Sequence, residues 1–220
     1  MADRKTAMER LCRQGVIAVV RAKSGSQLLE VAGALLAGGV DCIEITMTTP
    51  NALKVIEACR QAMGEQALIG VGSVLSAAVA RQAIQAGAQY VVSPIFKAEI
   101  VQAAHEAGLP CVPGSFTPTE ILTATEAGAD AVKVFPGGAV GPQYIRDLLA
   151  PMPHLKLTPT GGVTLETAGE WIAAGAVTLG IGSALVTRKA LAEGDFAGIQ
   201  RLAEQYVRIV AEARAGRGGR

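Results

Sequence analysis

Hydrophobic positions along the chain follow two rhythms that take turns. Short, nearly continuous apolar runs occur at Val16–Arg21, Cys42–Met47, Leu68–Val74, Tyr90–Ile95, Cys111–Phe116, Ala131–Pro136, Lys156–Gly161 and Val177–Ser183. Runs of this length read as buried strands. Between them, helical patterns occupy stretches such as Gln27–Ala37, Asn51–Met63, Ala77–Ala86 and Thr164–Ala173. Strict alternation of strand and helix implies a parallel sheet with right-handed crossovers. Eight units suggest an α/β fold closed into a (β/α)8 TIM barrel. The alternative is a doubly wound sheet of six or seven strands. Met1–Gln14 is charged and patterned as a helix, which predicts an extra N-terminal helix under or beside the barrel.

A weak repeat marks the same units. Ala37-Gly38-Gly39, Ala86-Gly87-Ala88, Ala107-Gly108-Leu109, Ala127-Gly128-Ala129 and Ala174-Gly175-Ala176 each close a helix-like segment before an apolar run. A helix end often needs a left-handed residue, which glycine supplies without strain. Most of these glycines recur about every 20–25 residues, the length of one strand-plus-helix unit. No linker or shift of composition interrupts the pattern, so residues 1–220 read as one domain. The Gly/Arg-rich stretch Arg214–Arg220 reads as a frayed, solvated tail.

Composition narrows the class. Half of the 220 residues are hydrophobic and only 4% aromatic, so the core is expected to be mostly Ala, Val, Ile and Leu. The formal net charge of +1, with both signs mixed, argues against nucleic acid or a membrane surface as partner. Neither a signal-peptide run nor a span of about 18 apolar residues is present. Cys12, Cys42, Cys59 and Cys111 show no CxxC spacing, which predicts reduced thiols in a cytosolic protein. With two histidines, His105 and His154, a multi-histidine metal site or a Ser-His-Asp triad is poorly supplied. No metal and no cofactor are expected.

The candidate chemistry begins with Lys133, which interrupts the apolar run Ala131–Pro136. An ammonium in such a place is costly unless it is paired or discharged, and the neutral amine is the nucleophile that attacks a ketone to form a Schiff base. The competing reading is a lysine that snorkels to a surface carboxylate. Strand alternation puts Cys42, Glu44 and Thr46 on one face and Ile43, Ile45 and Met47 on the other. Packing the apolar set against helices turns Glu44 inward, onto the same inner surface as Lys133. There it can move protons or form a plain ion pair with Lys133 or Arg21. Chemistry in a barrel sits at the C-terminal strand ends. Those ends carry Arg21, Gly70-Val71-Gly72-Ser73, Ser93-Pro94 and Pro113-Gly114-Ser115. The last two ends, Thr160-Gly161-Gly162 and Gly180-Ile181-Gly182-Ser183, are glycine-rich turns leading toward helices, a recurring phosphate pocket.

Glu44-Ile45-Thr46, Gly70-x-Gly-Ser-Val, Ser93-Pro94, Pro113-Gly114, Lys133-x-Phe135-Pro136, Gly141-Pro-Gln-Tyr, Pro159-Thr-Gly-Gly and Gly182-Ser183 occur in an order that resembles one family. It is the class I 2-keto-3-deoxy-6-phosphogluconate (KDPG) / 4-hydroxy-2-oxoglutarate (KHG) aldolases. The resemblance runs roughly from Gly15 to Ala211. It implies cleavage of a phosphorylated or otherwise anionic 2-keto-4-hydroxy acid to pyruvate and an aldehyde such as glyceraldehyde 3-phosphate. It implies that Lys133 forms the Schiff base and Glu44 shuttles protons. Ser73, where the family usually has threonine, would hold the pyruvate carboxylate. Pro94 and Phe135 would line the pyruvate pocket, and Thr160, Gly161, Gly162, Gly182 and Ser183 would surround the phosphate. A homotrimer is implied too.

Three departures bear on substrate choice. Many members carry an arginine four residues after the glutamate, where this chain has Thr48; Arg21 is expected to supply the missing cation. Ile95-Phe96-Lys97 and Ser115-Phe116 are bulkier than usual in loops expected to border the aldehyde and phosphate halves. Within the family, KHG, the 6-phosphogalactonate analogue or a sulfonate analogue are the alternative substrates. Outside it stand a phosphate-binding barrel isomerase and a non-catalytic metabolite binder.

Overall fold

The computed structural model describes residues 3–21 and 25–217. Its first helix, α1 (Arg4–Gln14), begins where the Asp3 carboxylate accepts the Thr6 N–H at 2.8 Å, and ends at Gly15, which is left-handed. The elements then follow as β1 (Val16–Val20), α2 (Gly25–Ala37), β2 (Cys42–Thr46), α3 (Ala52–Met63), β3 (Leu68–Gly72), α4 (Ala77–Gln85), β4 (Val91–Val92), α5 (Ala98–Glu106), β5 (Cys111–Val112), β6 (Gly114–Ser115), α6 (Pro118–Glu126), β7 (Val132–Val134), α7 (Pro142–Leu149), β8 (Leu157–Pro159), α8 (Leu165–Ala174), β9 (Leu179–Ile181), α9 (Arg188–Glu193) and α10 (Phe196–Arg217). Among the described residues no helix is long and apolar enough to cross a membrane.

All strand pairs are parallel. They form one ladder in the order β5-β4-β3-β2-β1-β9 and a second in the order β6-β7-β8. The ladders join at two seams. At one, β5 runs into β6 through Pro113, whose missing N–H breaks the ladder without breaking the strand's course. The expected single strand Cys111–Phe116 is therefore two short segments. At the other seam, Val177 N–H donates to Leu157 O at 3.0 Å and Thr160 bridges Gly180 in parallel. The sheet thus closes into a barrel of eight strand positions, and the doubly wound alternative is excluded.

Two apolar layers hold the barrel. Outward-facing strand residues, such as Ile43, Ile45, Val71, Val132 and Val134, pack with the inner faces of the helices. A second cluster fills the barrel interior below and beside the site: Ile17, Cys42, Leu68, Tyr90, Val92, Val112 and Ala131, closed from below by Ala7, Met8 and Leu11 of α1. The extra helix thus lies under the barrel. Burying a side chain such as Leu11 contributes about 1.5–3 kcal/mol.

The C-terminus departs from expectation. Helix α10 continues to Arg217, and Arg214 donates to the carbonyls of Cys12, Arg13 and Val177, at 2.5, 2.6 and 3.0 Å. Arg214 is thus a clasp between the last helix, α1 and the approach to β9, and residues 215–217 continue the helix where a frayed tail was expected. Residues 218–220 of that expectation lie outside the described residues.

Candidate active site

The C-terminal mouth of the barrel holds a cavity of about 330 Å³. Lys133 reaches it from the middle of β7. Val132 and Val134 on either side point outward into the helix-packed layer, so strand alternation turns Lys133 inward. Its strand neighbours are Gly114 on β6 and Thr158 on β8. The residue is 6% exposed, and its ammonium lies 5.2 Å from the centroid of the Phe135 ring, a cation–π contact. Phe135 is one of the few large apolar side chains left open. Its backbone leads through a cis bond into Pro136 and a turn that Gly137 N–H pins to Thr160 O at 2.8 Å.

Glu44 faces inward from β2, as strand alternation requires, beside Val19 on β1 and Gly70 on β3. It is not among the cavity lining; it is 2% exposed, with Oε1 enclosed and, among the described residues, without a hydrogen bond. Among the described residues no ion pair joins it to Lys133 or Arg21. The plain ion-pair reading is therefore not realised. A side chain on Gly72 would overlap the Glu44 carboxylate, so that glycine makes the room the carboxylate occupies.

Of the four residues expected at the keto-acid end, all four line the cavity: Arg21, Ser73, Pro94 and Phe135. Arg21 follows directly on β1, and its guanidinium is 3.6 Å from where a side chain on Gly182 would begin. Ser73 is left-handed, with φ 60°, an unusual state for a residue with a Cβ that costs about 1–2 kcal/mol. Backbone bonds clamp both sides of it, from Met47 N–H to Gly72 O at 2.8 Å and from Val74 N–H to Val92 O at 3.3 Å. This frame holds the residue at the cavity.

The residues expected around the phosphate, Thr160, Gly161, Gly162, Gly182 and Ser183, also all line the cavity, and the Arg21 guanidinium stands on their side of it, beside Gly182. Gly161 and Gly162 both have positive φ, 85° and 74°, and a side chain on Gly162 would overlap the Gly138 backbone. Only glycine fits there without strain. Helix α8 starts at this end, where Thr164 N–H donates to Thr167 Oγ1 at 3.0 Å. A helix N-terminus beside a glycine turn favours an anion. Arg21 and Lys133 are the cationic residues among the described lining.

Some lining escaped sequence reasoning: Val19, Val163, Thr164 and Ala184. Val19 was recoverable, because it is two residues before Arg21 on the same strand face. The bulky loops do not enter the cavity. Phe116 stacks on Tyr144, whose hydroxyl donates to Phe116 O at 2.6 Å, and Lys97 donates to Leu75 O at 3.0 Å. Thr48, at the position of the missing arginine, bonds Thr46 between hydroxyls at 2.8 Å. Phe116 and Lys97 thus brace the rim outside the cavity lining.

An amine on a buried strand, an enclosed carboxylate on the inner face of β2, a hydroxyl from Ser73, and a cation beside glycine-rich turns around one cavity can take an anionic keto acid through imine chemistry. The comparisons agree. The model of the family described as KDPG and KHG aldolase matches residues 8–202. The chain is 37% identical over 206 residues to a 2-dehydro-3-deoxy-phosphogluconate aldolase of Treponema pallidum (strain Nichols), covering 93% of this chain and 98% of the relative. It is 39% identical over 171 residues to the 2-dehydro-3-deoxy-6-phosphogalactonate aldolase of Escherichia coli (strain K12), covering 77% and 83%. A solved KDPG aldolase from Legionella pneumophila, with pyruvate captured as a covalent carbinolamine, superposes with a TM-score of 0.84 at 27% identity, covering 90% of this chain and 96% of that one.

Proposed function

This chain belongs to the KDPG and KHG aldolase family, and on that premise we propose that it is a class I aldehyde-lyase. Its substrate is a 2-keto-3-deoxy-6-phosphogluconate-type 2-keto-4-hydroxy acid, and its products are pyruvate and glyceraldehyde 3-phosphate. The observation that carries this reading is Lys133, an amine held 6% exposed on an interior strand face and opening onto the cavity.

Neutral Lys133 adds to the C2 ketone, giving a carbinolamine. Loss of water, with a proton from Glu44, leaves an iminium. The Glu44 carboxylate then takes the C4 hydroxyl proton and the C3–C4 bond breaks. Its electron pair flows into the iminium, and the aldehyde leaves an enamine behind. Protonation at C3 and return of water release pyruvate and free Lys133. The iminium is the electron sink that a Lewis-acid metal supplies in other aldolases. Arg21 and Ser73 hold the keto-acid carboxylate, Pro94 and Phe135 wall the pyruvate unit, and the turns at Thr160–Gly162 and Gly182–Ser183 seat the phosphate. The working form is a homotrimer, a reading supported by the family resemblance.

The test is borohydride reduction in the presence of pyruvate, followed by peptide mass spectrometry. A reduced adduct on the peptide carrying Lys133 is expected. Absence of an adduct in folded protein would favour the isomerase or silent-binder reading. A second substrate reading has its own support, since identity to the phosphogalactonate-type relative, 39%, matches that to the phosphogluconate-type one, 37%. Turnover of the two C4 epimers side by side separates them.

A further inference from the structure

The floor of the cavity carries an arrangement that the mechanism above leaves unused. Glu44 on β2 is paired with Gly70 on β3, and because Val71 pairs with Val91, Tyr90 stands on the other side of Gly70. Neighbouring strands are about 4.8 Å apart, so Glu44 and Tyr90 flank the glycine across a gap of roughly two strand spacings. Gly70 leaves that gap open, and the Tyr90 ring fills it: a side chain on Gly70 would overlap the ring. Gly72, one step up the strand, leaves the space that the Glu44 carboxylate occupies. The two glycines of β3 are thus adjoining slots, one for a phenol and one for a carboxylate.

Both polar tips are fully enclosed, and among the described residues neither Glu44 Oε1 nor Tyr90 Oη has a hydrogen-bond partner. Around the ring the neighbours are apolar, including Leu68, Val92 and Val112. A phenylalanine would pack there as well, so packing gives the hydroxyl no role. A buried donor and a buried acceptor on either side of one glycine can offset each other's desolvation through a single water where the strands leave room for it.

We propose that Tyr90 is a positioning residue for Glu44, its hydroxyl donating through one ordered water to Glu44 Oε1 and so holding the carboxylate aimed at the substrate. The assignment rests on Glu44 being the acid–base group of the Schiff-base cycle. Burial first, and then the nearby Cys42, Glu44 and Asp41, push the Tyr90 phenol well above its ordinary range, so it remains a donor at every working pH. The other ionisable groups around the pair are few. Cys42 is buried one inward step below Glu44, Asp41 is held by Arg10 at 2.9 Å, Lys133 projects inward from β7, and Arg21 stands at the rim.

The experiment is Tyr90→Phe in the full chain, with three readouts: borohydride trapping of pyruvate, exchange of the pyruvate methyl protons into D2O, and the pH profile of kcat for cleavage. Trapping and KM stay at the wild-type level, because Lys133 and the binding groups are untouched. Methyl exchange and kcat fall about tenfold, the scale of one lost hydrogen bond to a charged group. The acid limb of kcat moves to higher pH, since the carboxylate has lost a donor to its ionised form. Wild-type exchange with an unmoved limb overturns the proposal. If Tyr90→Phe does not fold, 3-fluorotyrosine in place of Tyr90, a stronger donor of nearly the same volume, moves the acid limb to lower pH; an unmoved limb again overturns it. Wild-type protein that neither traps pyruvate nor exchanges its methyl protons removes the aldolase reading itself, and this proposal with it.

Discussion

The two halves of the barrel interior come from the same strands yet hold opposite contents. The N-terminal half is filled by Ile17, Cys42, Leu68, Val112 and Ala131 over the plug of Ala7, Met8 and Leu11. The C-terminal half holds Glu44, Lys133, Thr158 and Thr160, with Gly70, Gly72 and Gly180 between or beside them. One inward step along a strand separates the two: Cys42 lies below Glu44, and Ala131 below Lys133. The lower half contributes stability through apolar contact. The upper half gives up packing for polar groups whose desolvation must be offset by a substrate, a water or each other. Chemistry can be concentrated at one end because the other end closes the fold.

Substitutions in the two halves should therefore separate activity from stability. The largest effect is expected in the upper half: Lys133→Ala should lower aldol cleavage at least ~10³-fold, with thermal unfolding and assembly state unchanged. Retained turnover would end the Schiff-base reading. In the lower half, Leu11→Ala should cost about 2–5 kcal/mol, measured by denaturant unfolding, while kcat per folded molecule stays at the wild-type value. A matching loss of kcat would mean that the two halves are coupled. At the rim, Arg21→Ala should raise KM for the keto acid about tenfold, the scale of one charge-assisted hydrogen bond, with little change in melting temperature. An unchanged KM would place the carboxylate clamp elsewhere.

The smallest effect concerns the thiols. Burial pushes Cys59 up to about 11 and Cys111 up to about 12, and Cys42 well above the ordinary range. The reactive species is the thiolate, so at pH 8 all three stay protonated and inert. Brief alkylation of native protein at that pH should label only Cys12, the one cysteine not fully buried. Rapid labelling of Cys42, on the inner face of β2, would show that the lower half opens readily.

Much of the site was legible because strand parity is local. Glu44 and Lys133 each sit between outward aliphatic neighbours, so their inward direction followed from adjacent residues alone. The glycine-rich turns were legible as an anion seat for a similar reason: Gly161 and Gly162 announce left-handed backbone by their residue type. Other features were not. Pro113 splits the fifth strand position, yet as one residue in an apolar run it did not break the pattern. The stretch from Arg214 looked like a tail by composition, and its place as a clasp depends on carbonyls of Cys12 and Val177, about two hundred and about forty residues earlier. The bulky loops at Ile95–Lys97 and Ser115–Phe116 were placed by sequence near the substrate, but Phe116 found Tyr144 and Lys97 found a backbone carbonyl.

By itself, the sequence determined the alternation of strand and helix, the face on which each ionisable residue lies, and the resemblance that brings lysine, glutamate and glycine turns together. Only the tertiary structure decided which inward residues stand side by side. That Gly70 lies between Glu44 and Tyr90, or Thr158 beside Lys133, follows from the register between segments some twenty residues apart. Local periodicity fixes direction because it arises from successive backbone dihedrals. Register arises from packing and hydrogen bonding across the whole closed sheet, and no stretch of sequence carries it alone.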